Sequence, residues 1–135
     1  MTWEPDHATM QNLLTMLEAL ADPTRSDHRN ALNTLESEAG NPSLVLHLMY
    51  VLGRMQQAVP LYLRQLAGFV IKNYVFPNWK HFNEEVQNML QSEVLHALTD
   101  DTEEIRKVAG SAVIMIVRHS SPAVWMTLVT QMLQL

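Results

Sequence analysis

A six-residue string recurs in this chain at an offset of 42: Leu63-Arg64-Gln65-Leu66-Ala67-Gly68 returns as Ile105-Arg106-Lys107-Val108-Ala109-Gly110. Each copy reads aliphatic, Arg, polar, aliphatic, Ala, Gly. The segments ahead of the two copies, and one after them, open near Pro42, Phe82 and Pro122, a spacing of about 40. A repeat of this length is one supersecondary unit. Such a unit cannot bury its apolar face alone, so the chain is constrained to stack several units around a shared core.

The units read as pairs of helices. Gly is scarce at four residues, and no segment alternates apolar and polar residues between turn signals, so strands have little support. A first helix is expected over about His7 to Ala21, where Met10, Leu13, Leu14, Leu17 and Leu20 form one apolar stripe, and Asp22-Pro23 ends it. The second starts between Thr24 and Asp27, carries Ala31, Leu32 and Leu35 inward, and stops at Gly40 in a left-handed cap. The third, about Pro42 to Gln57, is apolar on several sides, as an element between neighbours should be. The fourth runs from Pro60 to about Phe76 and is broken by Pro77. Phe82 to Leu98 makes the fifth and Glu103 to Arg118 the sixth, with Asp100-Asp101-Thr102 as the turn and cap between them. Ser121-Pro122 opens a seventh.

The period marks a HEAT or armadillo array, and with the pairing the expectation is an all-α, right-handed α-solenoid of HEAT repeats. A single unit covers 1–135: pairs at 7–40, 41–77 and 81–119, then the first helix of a fourth pair at 121–135. Stacked pairs put first helices on one surface and second helices on the other, which suits a groove for another macromolecule. On the fourth helix Leu63, Leu66, Ala67, Val70 and Ile71 are expected to face the core, leaving Gln65, Gly68 and Lys72 outside. On the sixth, Ile105, Val108, Ala109, Ala112 and Val113 point inward and Lys107, Gly110 and Ser111 face the groove. Gly68 and Gly110 each sacrifice up to about 1 kcal/mol of helix propensity, which close approach of a neighbouring helix or of a partner backbone would offset.

Several function classes are excluded or weakened. The net charge of -5 offers no footprint for a polyanion, so nucleic acid is not an expected partner. Without cysteine there is no disulfide, thiolate metal site or Cys nucleophile, and an intracellular setting is expected. The opening residues resemble no signal peptide, and apolar runs such as Ala112 to Val117 fall short of the roughly 20 residues a membrane span needs, so no membrane partner is expected.

Catalytic constellations are thin. Glu93 and His96 have the i, i+3 spacing of di-metal bundles, but the chain carries one helical copy where two are required, which leaves a helical-bundle metalloenzyme as a remote alternative. His119 beside Ser120 and Ser121 has no Gly-x-Ser-x-Gly elbow around it, and no glycine-rich phosphate loop exists. The nine Met residues suit plastic core packing. No enzyme and no cofactor are expected.

The stretch from Asp101 through Ile105-Arg106 and Ala109 to Val113 resembles the HEAT consensus, in which Asp and Arg form ladders between repeats; Arg64, Asp101 and Arg106 would then be structural. Arg64-Gln65-Leu66-Ala67-Gly68-Phe69-Val70-Ile71-Lys72-Asn73, followed by Phe76-Pro77-Asn78-Trp79, is similar to the signature of the importin-β N-terminal domain. Within that karyopherin family, Trp3-Glu4-Pro5-Asp6 and the run Gln91-Ser92-Glu93-Val94-Leu95 to Ile105-Arg106 resemble the transportin branch.

The resemblance implies the amino-terminal part of a nuclear import receptor shuttling between cytoplasm and nucleus. It would bind the GTP form of the Ran GTPase through second helices. Carried over by position, the candidates are Asn30 and Asn33, Gln65, Lys72 and Asn73, and Lys107 and Ser111. Cargo and nucleoporins would engage parts of a receptor outside this sequence. The alternative is a HEAT scaffold of another class, a phosphatase or trafficking adaptor subunit. The seventh helix, 122–135, has no charged side chain, and its apolar surface (Val124, Trp125, Leu128, Val129, Met132, Leu135) is expected to be open to self-association.

Overall fold

The computed structural model describes residues 3–134, apart from the side chains of Val124 and Trp125. The described residues form seven α-helices: α1 (His7–Ala21), α2 (His28–Glu38), α3 (Pro42–Arg54), α4 (Leu61–Val70), α5 (Glu84–Ala97), α6 (Glu103–His119) and α7 (Pro122–Met132). Three of the starts, those of α1, α3 and α5, are capped by side chains. Asp6 accepts from the Thr9 N–H at 2.9 Å, Asn41 from Ser43 at 3.0 Å and Asn83 from Val86 at 2.9 Å, each satisfying a donor that the first helical turn leaves unpaired.

Several boundaries differ from the sequence expectation, among them the start of α5, which lies at Glu84 and not at Phe82. Gly40 is not left-handed, because α2 closes on Ala39 in an ordinary helical conformation and no described residue has positive φ. α3 ends at Arg54, earlier than expected. Pro77 does not break the chain: α4 widens into a π-helical segment, Ile71–Val75, and passes directly into a 3-10 segment, Phe76–His81, that takes Pro77 in its first turn. A first turn needs no proline N–H, which is why the residue is tolerated there.

The helices stack in antiparallel pairs. α3 packs on α4 and on α5, α4 on α6, and α5 on α6, so first helices line up with first helices and second with second. The opening pair departs from that order: α2 packs chiefly on α1, while α1 lies against both α3 and α4. One apolar core runs through the stack, with Leu17, Leu48, Leu52, Leu63, Ile71, Leu90, Ile105 and Ile116 fully buried. Each such side chain contributes about 1.5–3 kcal/mol of burial. Phe76 and Trp79, from the aromatic-proline cluster, meet edge to face at 5.7 Å in the core, and their 3-10 segment lies against α6.

The segment before α1 is strapped onto α3. The Asp6 N–H donates to His47 Nε2 at 3.0 Å, and the Trp3 ring meets the His47 ring edge-on at 4.9 Å. At the other end, α7 rests on α5 and α6. Leu128 is fully buried there, which removes it from the open surface expected of this helix; Met126, Met132 and Leu133 remain exposed, and Leu135 with the side chains of Val124 and Trp125 lies outside the described residues. No helix among the described residues is long and apolar enough to cross a membrane.

Candidate protein-binding face

The α4–α6 contact that creates the candidate face is set by Gly68. A Cβ placed on Gly68 would collide with Val108 of α6 and stand 3.1 Å from Leu52, so the absence of a side chain lets the two second helices close together. Gly68 is therefore buried, not on the outer surface that periodicity assigned to it. Gly110, its counterpart one repeat later, has nothing within 4 Å of the same position.

Beside this contact Arg64 is buried at 2% exposure. Its Nε and Nη2 donate to the Leu52 carbonyl at 3.0 and 2.7 Å, and Nη2 also donates to the Asp100 carboxylate. Asp100 is further held by the Thr102 N–H at 2.9 Å. Burial by itself would raise the Asp100 pKa, but the bonds from Arg64 and Thr102 outweigh it, and the carboxyl sits below the usual range. The inter-pair bridge thus uses Asp100, not the Asp101 that the consensus spacing suggested; Asp101 is exposed. Arg106 is also exposed and donates to the Asp100 carbonyl at 2.8 Å.

With Arg64 and Gly68 turned in, the outward stripe of α4 and the π-helical segment after it is Tyr62, Gln65, Phe69 and Lys72, at i, i+3, i+7 and i+10. Tyr62 and Phe69 are 53% and 57% exposed. On α6 the facing stripe is Lys107, Ser111 and Ile114, the last 59% exposed. Between the stripes lies an open groove of about 480 Å³ floored by Leu66 and Val108 and edged by Gln65, Lys72 and Ser111. Lys72 falls in the π-helical segment, and Asn73 beside it donates to the Phe69 carbonyl at 2.9 Å. Lys107 forms an exposed i, i+4 pair with Glu103 at 3.3 Å, a contact of little energetic weight. Lys72 has no ion pair among the described residues.

The structure therefore brings Gln65, Lys72 and Ser111 to one groove; Asn73 and Lys107 are exposed on the same elements but do not line it. It separates them from the α2 candidates. Asn30 lines a different groove, about 510 Å³, between α1 and α2, and Asn33 is exposed on α2. Sequence reasoning missed Tyr62, Phe69 and Ile114. Their signal was available: all three are large apolar residues lying off the core stripe of their helices.

The Glu93 carboxylate of the other spacing is engaged between helices. Glu93 is held by a bidentate bond from Arg54, 3.0 Å on both arms, so the carboxylate of the Glu93–His96 spacing links α5 to α3. No group of three or more His, Cys, Asp or Glu able to hold a metal occurs among the described residues.

Residues 29–100, just over half of the chain, match the family model of the importin-beta N-terminal domain. Over 136 residues the chain is 28% identical to exportin-2 of Homo sapiens and to exportin-2 of Bos taurus, covering 96% of this chain and 14% of each relative. It is 25% identical over 134 residues to transportin-1 of Mus musculus, covering 98% of this chain and 15% of that protein. The chain thus spans about a seventh of the length of these relatives.

Proposed function

The chain belongs to the importin-β N-terminal domain family of karyopherin transport receptors, and from that premise we propose that it binds the GTP form of the Ran GTPase through the face made by α4 and α6. One observation carries the reading: a groove between two second helices gathers Gln65, Lys72 and Ser111, with Phe69 and Tyr62 exposed beside them. Exposed aromatics flanked by an unpaired cation make a surface suited to a protein partner with an apolar centre and an acidic edge.

In this reading the chain is the amino-terminal segment of a nuclear transport receptor shuttling between cytoplasm and nucleus, and cargo binds elsewhere in such a receptor. An import-type receptor is supported by Trp3-Glu4-Pro5-Asp6; the relatives named exportin-2 favour an export-type receptor as the second reading. The test is titration of the chain with Ran carrying a non-hydrolysable GTP analogue beside Ran carrying GDP. Binding to the GTP form alone, weakened by Lys72→Glu, is expected. Equal binding to both forms, or binding to neither, overturns the proposal and favours a scaffold of another class.

A further inference from the structure

Two asparagines close bonds across the changes of helix type that follow α4. Asn73 Nδ2 donates to the Phe69 carbonyl at 2.9 Å, and Asn78 Nδ2 donates to the Tyr74 carbonyl at 3.0 Å. Each bond reaches four residues back, the span that a backbone N–H covers in an α-helix. Both sit where the backbone gives up that span. The Ile71 N–H still reaches Ala67, whereas the Phe76 N–H reaches back five residues to Ile71, and a 3-10 segment follows. The wider turn also changes which residues face inward. An unbroken helix continuing the buried stripe of Ala67, Val70 and Ile71 would turn Tyr74 and Asn78 to the core. Val75, Phe76 and Trp79 are buried there instead, and the Asn78 amide is spent on the backbone.

We propose that Asn73 and Asn78 are positioning residues for the α4–α6 groove: they clamp the π-helical turn, and the Asn73 clamp fixes Phe69 and Lys72 at the groove edge. Both groove residues lie within the stretch that the bond from Asn73 to the Phe69 carbonyl closes. Asn73 thus serves binding through its neighbours and not by touching the partner, which replaces the contact role its sequence position implied. Its amide is turned onto its own helix, and it does not line the groove. Side-chain bonds to the i−4 carbonyl bend regular helices and are a known competitor of the backbone ladder; here they fall where the ladder has already changed. Thr15, Thr34, Thr127 and Thr130 make the same four-residue bond elsewhere in this chain, so a hydroxyl is able to stand in for the amide. The binding part of the proposal rests on the GTPase reading; the clamps do not.

The experiment uses the whole chain with Asn73→Leu, Asn73→Thr or Asn78→Leu, each alone and combined with Lys72→Ala. Leu keeps the bulk of Asn without its donors, and Thr returns a donor to the i−4 carbonyl without the amide. Amide exchange at Tyr74, Val75 and Phe76 is expected to quicken about tenfold or more in both Leu variants and to return toward the parent rate in Asn73→Thr. Affinity for Ran carrying a non-hydrolysable GTP analogue should fall about three- to tenfold in Asn73→Leu and in Asn78→Leu, although Asn78 does not line the groove, and should recover in Asn73→Thr. With Lys72→Ala already present, Asn73→Leu should cost little more, because the two act as one unit. Unchanged exchange in Asn73→Leu overturns the clamp. Restored exchange without restored affinity in Asn73→Thr would make the amide a direct contact, and a loss that simply adds to that of Lys72→Ala would make it a general prop of the fold; either overturns the positioning role. If the parent chain binds neither nucleotide form, the GTPase reading falls and the exchange rates alone decide on the clamps.

Discussion

The Arg64 guanidinium and the Asp100 carboxylate close against each other inside the protein, their side chains 3% and 1% exposed, and so tie the second helix pair to the third. Arg64 is also anchored to the Leu52 carbonyl near the end of α3, so two helices and the turn between α5 and α6 share one buried cation. Removing the carboxylate leaves that cation uncompensated. Asp100→Asn is expected to lower unfolding free energy by about 3–5 kcal/mol, measured by urea denaturation. Asp101→Asn, one residue away on the exposed side of the turn, should change it by less than about 0.5 kcal/mol. Similar effects from the two would mean that the bridge is not what joins the pairs.

The same pair makes stability depend on acid. Burial pushes the Asp100 pKa up, but bonds from Arg64 and the Thr102 N–H more than offset it, so the folded value lies below the ordinary one of 3.8. A carboxyl depressed on folding contributes stability that is complete above its unfolded pKa, about 3.9, and is lost as pH falls through the folded value. Urea midpoints should therefore change little from this group between pH 7 and 5 and drop below about pH 4. Asp100→Asn should flatten that part of the profile. A profile unchanged by the substitution would assign the acid loss to other carboxylates.

Gly68 and Gly110 close matching strings, and substitution should separate them. Gly68→Ala gains up to about 1 kcal/mol of helix propensity, but its Cβ meets Val108 and Leu52 in a closed contact. Overpacking of that kind costs about 1–3 kcal/mol, so the net effect is a loss. Val108→Ala should restore part of it. Gly110→Ala meets nothing within 4 Å and is expected to stabilise the chain by about 0.5–1 kcal/mol. Thermal unfolding of the two variants decides the matter: effects of the same sign would show that helix propensity, not the α4–α6 approach, governs both positions.

Helix existence and phase were legible in the sequence because caps and apolar stripes are local. Asn41-Pro42 announces α3 without reference to anything distant, whereas the caps Asp6 and Asn83 were not singled out and α5 starts two residues later than Phe82. What was not legible depends on neighbours in space. Asp100 and Asp101 are the same residue type side by side, and the backbone path of the turn decides which faces Arg64. Gly68 and Gly110 share a string but differ in what lies opposite. α7 has no charged residue, so no polar face indicated that Leu128 would turn inward. Nor did the repeat show that α2 would pack chiefly on α1, which carries Asn30 and Asn33 away from the α4–α6 groove.

That separation yields the sharpest test of the proposed binding face. Phe69 is 57% exposed and rests on no core residue's behalf, so truncating it should leave folding within about 0.5 kcal/mol of the parent. At a partner interface, an aromatic beside a groove is the kind of side chain whose loss removes about 2 kcal/mol or more, roughly thirtyfold in affinity. Phe69→Ala is therefore expected to weaken Ran·GTP binding by that factor. Lys72→Glu, which reverses the unpaired cation at the groove edge, should weaken it further at low salt than at high salt, because an exposed charge acts through a screened field. Asn33→Ala on α2 should change affinity by less than about threefold, since its helix does not border the groove. Calorimetric titration of the three variants, with circular dichroism melts as the folding control, distinguishes the outcomes. A large loss from Asn33→Ala with none from Phe69→Ala would move the partner from the α4–α6 groove to the α1–α2 side of the chain.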